Sequence, residues 1–131
     1  MKKSLSFLCL ILLFSLRSFC QTQTEMNVST CDSYITADKK LNEIYQNILK
    51  EYKQDTAFIK NLKSAQLIWI KLRDADLKAI FTPGEFYGSV KSMCVCEILT
   101  EFTNERIKFL KTWTEGIEEG EACRGTRKQK D

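Results

Sequence analysis

Gln66, Trp69 and Arg73 fall at i, i+3 and i+7, so a helix carrying them sets an amide, an indole and a guanidinium along one stripe. Such groups hydrogen-bond, stack and hold anions; none of them is a nucleophile. Asp38, Asn42 and Tyr45 make a comparable stripe at i, i+4 and i+7 of an earlier segment. Arg106 follows Thr103 by one turn in a later one, and Asp74 stands beside Arg73. Two readings are open. In the first, Arg73 or Arg106 meets Asp38 or Asp74, Asn42 and Gln66 satisfy backbone or one another, and the network fixes helix register. In the second, part of the stripe is a partner-binding surface, because Trp, Tyr and Arg anchor interfaces. The first is preferred.

Reaction chemistry finds little footing. The chain has no histidine, which removes histidine-based triads, histidine general bases and mixed Cys/His zinc sites. Asp74 and Asp76 would point to different sides of a helix, and Glu101 and Glu105 fall on a charged, wet face, so neither is a good glycosidase pair. No glycine-rich phosphate loop is present. The chain is read as a binding protein, not an enzyme, with no cofactor and no metal.

The first twenty residues read as an export signal. Lys2-Lys3 is a charged start, Leu5 to Leu16 an apolar run too short to span a membrane, and Ser18-Phe19-Cys20 suits cleavage before Gln21. Lipidation at Cys20 fits less well, because Arg17 and Phe19 are not the small residues that should precede it. The expected location is therefore periplasmic or secreted, with no stable membrane insertion after cleavage. Lys2, Lys3 and Arg17 account for the formal charge of +3, leaving 17 basic and 17 acidic residues in the remainder. A near-neutral domain argues against nucleic acid as a partner.

The remaining segments must position the polar stripes. Residues 21–30 are polar and expected to be flexible. A first helix should start near Thr30 to Asp32 and carry Leu41, Ile44, Tyr45, Ile48 and Tyr52 inward. Asp55-Thr56 offers a break and a new cap. A second helix should run to Phe81 with Phe58, Leu62, Ala65, Trp69, Leu72 and Ala79 inward, and Thr82-Pro83-Gly84 should stop it. A loop to Gly88 precedes a third helix bearing Met93, Ile98, Leu99, Phe102, Phe109, Leu110 and Trp113. Gly116 and Gly120 end it. The fold class is all-α: three long antiparallel helices in a small monomeric bundle over residues 31–116, stabilised by disulfides, followed by a charged tail at 117–131 that reads as frayed and solvated.

Cys31, Cys94, Cys96 and Cys123 lie after the leader, and an even number in an exported chain points to disulfides. In an up-down-up bundle the first and third helices start at the same end, so a bridge from Cys31 to Cys94 or Cys96 is close at hand. Cys94 and Cys96 point apart on a helix and are not expected to bond each other. Two bridges are expected, with connectivity open.

Three blocks of the chain resemble a known family. Asp38-Lys39-Lys40-Leu41-Asn42-Glu43-Ile44-Tyr45 is similar to its A-D-x-x-L-N-x-x-Y block, and Ala65 to Ala75 to its A-Q-x-x-W-x-x-x-R-D-A block. Gly88-Ser89, Leu99, Thr103 and Arg106 are similar to G-S…L-x-x-x-T-x-x-R. The family is the LprI-like lysozyme inhibitors, small exported helical domains, and the resemblance runs from about Met26 to Trp113. Where many relatives carry two further cysteines, this chain has Leu77 and Ile98, so no relative's disulfide pattern is carried over. The resemblance implies inhibition of c-type lysozyme, with lysozyme as the partner. The aromatic loop Pro83–Gly88, with Phe86 and Tyr87, is the candidate for insertion into the cleft. The alternative is a structural or adaptor domain of the cell envelope, with another protein or a glycan as ligand.

Overall fold

The computed structural model describes residues 22–130. The leader read into residues 1–20 lies outside them. Three helices follow one another: α1 over Gln23–Glu51, α2 over Thr56–Ile80 and α3 over Lys91–Thr114, with a single 3-10 turn at Gly88–Val90 leading into α3. Among the described residues there is no strand, only one isolated bridge between Ile117 and Gln129.

Helix α1 starts earlier than its apolar pattern suggests, so the segment expected to be flexible is helical from Gln23. A capping box accounts for this. The Thr22 hydroxyl accepts from the Glu25 backbone N–H (3.2 Å), and the Glu25 carboxylate accepts from the Thr22 N–H (2.9 Å). The added turns reach the start of α3, where the Asn27 side-chain amide donates to the Ser89 carbonyl. Helix α2 begins where expected, with the Asp55 carboxylate accepting from the Phe58 N–H at 2.9 Å.

Helices α1 and α3 run parallel and in close contact along their length. Cys31 bonds Cys96 near their starts, and the Tyr52 hydroxyl donates to the Trp113 carbonyl near their ends. Small side chains permit the approach: Ala37 and Thr103 are both buried between them. Helix α2 runs the other way, its Phe58 ring 5.8 Å from Trp113 and its Gln66 against Arg106. The core comprises Leu41, Ile48, Phe58, Leu62, Ile107 and Leu110, with Tyr45, Tyr52, Trp69 and Trp113 packed around it. It fills the end of the bundle where α1 and α3 finish and α2 begins. Towards the other end, α2 loses its cover, and Ile68 (63% exposed) and Leu72 (57% exposed) face solvent.

The inward stripe of α2 therefore differs from expectation. Phe58 and Leu62 are buried as expected and Trp69 is half-buried, but Gln66 and Arg73 take the inward places assigned to Ala65 and Leu72. Both stripes have helical spacing. The polar one wins because Gln66 finds Arg106 across the helix boundary.

Cys31–Cys96, with Cα atoms 5.0 Å apart, is the one bridge among the described residues; Cys94 and Cys123 carry free thiols. The second expected bridge fails on distance. Cys94 lies in the first turn of α3 and Cys123 beyond its end, with about 30 Å of helix between them at 1.5 Å per residue.

The tail folds back on the bundle instead of fraying. Gly116 turns the chain at a φ of +82°. Ile117 then exchanges backbone hydrogen bonds with Lys128 and Lys130, both 2.9 Å. The Trp113 indole N–H donates to Thr126 Oγ1, and Lys128 pairs with Glu51. A side chain at position 116 would meet the Gln129 backbone at 2.8 Å, so the glycine is required by both φ and space.

Candidate functional site

The predicted stripe residues are brought together in part. Gln66, Trp69 and Arg73 from α2 meet Arg106 from α3, with Tyr45 of α1 beside the Arg106 guanidinium. Arg106 Nε donates to Gln66 Oε1 at 2.9 Å, which satisfies a buried amide. The Trp69 ring lies under two guanidiniums, with Arg73 at 5.4 Å and Arg106 at 5.6 Å from its centroid. Phe109 supplies a second ring to Arg106 at 5.2 Å. That role was missed in the sequence; its signal is the i, i+3 spacing of Arg106 and Phe109.

Of the expected pairs Arg73–Asp74 forms, within α2, and among the described residues no ion pair of this stripe crosses helices. Arg73 bonds Asp74, its own neighbour on α2, through Nε (3.0 Å) and Nη2 (2.8 Å). Asp38 accepts from the Asn42 amide at 3.1 Å on the same helix. Neighbouring residues satisfied these carboxylates locally, so Gln66–Arg106 is the hydrogen bond by which this stripe crosses helices. Among the described residues two buried side-chain polar atoms, Thr103 Oγ1 and Arg106 Nη2, have no hydrogen-bond partner.

Electrostatics follow from this burial. Desolvation holds the Arg106 guanidinium below its ordinary value, with the nearby Tyr45 hydroxyl working in the opposite direction. Desolvation also raises Tyr45 above the usual phenol range, partly offset by Arg106.

The loop after α2 separates the two aromatic candidates. Tyr87 is anchored: its ring packs edge-on against Phe81 at 5.3 Å, its hydroxyl donates to the Ile80 carbonyl, and Lys91 Nζ lies 5.1 Å over its face. Phe86 is 95% exposed. Gly84 and Gly88, at φ of +96° and +63°, let the chain turn on either side of it. The loop thus projects one aromatic ring from a fixed base.

Other surfaces offer less chemistry. An open groove of about 470 Å³ between α1 and α3 is lined by Asp32, Ser33, Thr36, Lys40, Thr100 and Asn104. Its Ser33, Thr36 and Thr100 hydroxyls donate back to their own helices. No group of three or more acidic or cysteine side chains is placed to hold a metal ion, and no helix is long and apolar enough to cross a membrane, among the described residues.

Comparison with curated proteins and with solved structures gives no match. Comparison with protein families does: the profile described as lysozyme inhibitor LprI matches residues 18–110. The matched span contains both polar stripes, the aromatic loop and the Cys31–Cys96 bridge, and stops before the folded-back tail. With most of its length matched, the chain belongs to the LprI lysozyme inhibitor family.

Proposed function

We propose that this protein is an exported inhibitor of c-type lysozyme that covers the active-site cleft, with Phe86 as the leading contact. The supporting observation is the exposed Phe86 ring on a loop whose base is held by Tyr87, Phe81 and Lys91. A ring presented on an anchored loop binds with less ordering cost than one on a free loop. The family match supports lysozyme as the partner. Lysozyme works through two carboxylates in an open cleft, so an inhibitor needs only to exclude substrate and acts without turnover.

Folded, oxidised protein lacking residues 1–20 should protect peptidoglycan from c-type lysozyme at micromolar concentration or below. Phe86→Ala should weaken inhibition by about tenfold, the loss of an aromatic hot spot, with the helical spectrum unchanged. Tyr87→Ala should weaken it too, by releasing the base of the loop. Absence of protection by verified folded protein ends this reading for c-type enzymes.

A further inference from the structure

Among the described residues no carboxylate forms an ion pair with Arg106. Its two neighbouring rings, Trp69 and Phe109, lie 5.6 and 5.2 Å away, and Gln66 occupies its Nε. The edge ending in Nη2 is buried without a hydrogen-bond partner. The acidic groups of the same stripes are committed elsewhere, Asp74 to Arg73 and Asp38 to Asn42. Arginine stays cationic even when desolvation opposes it, so the cluster holds a partly desolvated positive charge.

We propose that this cluster receives the carboxylate of an acidic side chain on a partner protein, which takes the Nη2 edge of Arg106. A guanidinium offers a planar fork that matches a planar carboxylate. The surroundings fit this anion better than a phosphate: beside the aromatic rings stand one amide already in use, the single Tyr45 hydroxyl, and Arg73, whose Nε and Nη2 are bound to Asp74. Phe109 packs its ring 5.2 Å from the guanidinium and is 48% exposed, so a carboxylate would reach Arg106 by turning that ring aside. Arg73, over the same indole, is paired with Asp74, which leaves Arg106 as the cation of the cluster without a carboxylate partner. A half-buried Trp and Arg beside an exposed Phe is also the composition of an interface anchor. The identity of the partner rests on the inhibitor reading, since a lysozyme cleft presents two carboxylates; the carboxylate site does not.

Two measurements separate these claims. In the ¹⁵N-labelled protein the Arg106 Nε–Hε resonance, identified by its absence in Arg106→Lys, should move saturably with sodium acetate and stay in place with sodium chloride at equal ionic strength. No movement with acetate overturns the carboxylate site. In binding to c-type lysozyme, Arg106→Gln and Arg106→Lys, each shown to be folded by circular dichroism, should weaken affinity by about tenfold or more. That loss should vanish against lysozyme whose two cleft carboxylates are replaced by amides. Equal binding by wild type and both variants overturns the assignment of the cleft carboxylates to Arg106 and leaves the inhibitor reading standing. No binding by the wild type ends the inhibitor reading, and the acetate titration then decides the site alone.

Discussion

Thr103 is fully buried, and its hydroxyl has no partner. A helical threonine ordinarily returns its hydroxyl to the carbonyl four residues back, as Thr100 does to Cys96 at 2.7 Å. Thr103 does not, so its contribution is size: a small β-branched side chain that lets α1 and α3 come together. Thr103→Val keeps the shape and removes the orphaned hydroxyl. It should raise stability by about 1 kcal/mol, read as a higher urea midpoint with unchanged slope. A lower midpoint would mean that the hydroxyl is satisfied in solution. Thr103 and Arg106 were both legible in the sequence, because polar residues at helical spacing among apolar ones attract attention. Phe109 was not, because an aromatic residue at that spacing reads as core and nothing local says that its ring serves a guanidinium.

At the scale of elements, the ends of α2 were legible because their causes are local: a capping Asp55 at one end, and Thr82-Pro83-Gly84 after the other. Its inward face was only half legible. Apolar periodicity selects Ala65 and Leu72; the folded chain turns Gln66 and Arg73 inward, a choice that depends on Arg106 some forty residues later. Leu72→Gln should therefore change stability by less than about 0.5 kcal/mol, as at an ordinary surface position, whereas Leu62→Ala should cost about 2–5 kcal/mol. Equal losses in chemical denaturation would restore the apolar stripe. The start of α1 was legible in principle, since Thr22 and Glu25 spell a capping box, but the polar run up to Thr30 carries no apolar period to extend it. The tail was least legible. Its charges suggest solvent, and its order comes from one glycine and one indole that only the folded bundle brings against Gln129 and Thr126.

For the whole molecule, the apolar core and the covalent bridge sit at opposite ends. Leu41, Ile48, Phe58, Leu62, Ile107 and Leu110 hold the end where α1 and α3 finish, while Cys31–Cys96 fastens the end where they start. The bridge spans a sequence separation of 65 residues, and in the chain-entropy view a loop of that length contributes about 4 kcal/mol. Replacing both cysteines by serine should lower unfolding free energy by about 2–4 kcal/mol. Amide exchange should also quicken in the first half of α3 more than in its last turns, and a uniform effect along α3 would contradict this division of the molecule. Small domains of this kind have a total margin of only about 5–15 kcal/mol. Were residues 1–20 the export signal expected from the sequence, the bridge would also govern when the chain folds. In a reducing compartment the thiols would be open, and the chain would lie nearer the threshold at which it can be threaded unfolded across a membrane. Oxidation on the far side would close Cys31 onto Cys96 and make folding hard to reverse, so that a structural staple would also serve as a checkpoint of arrival.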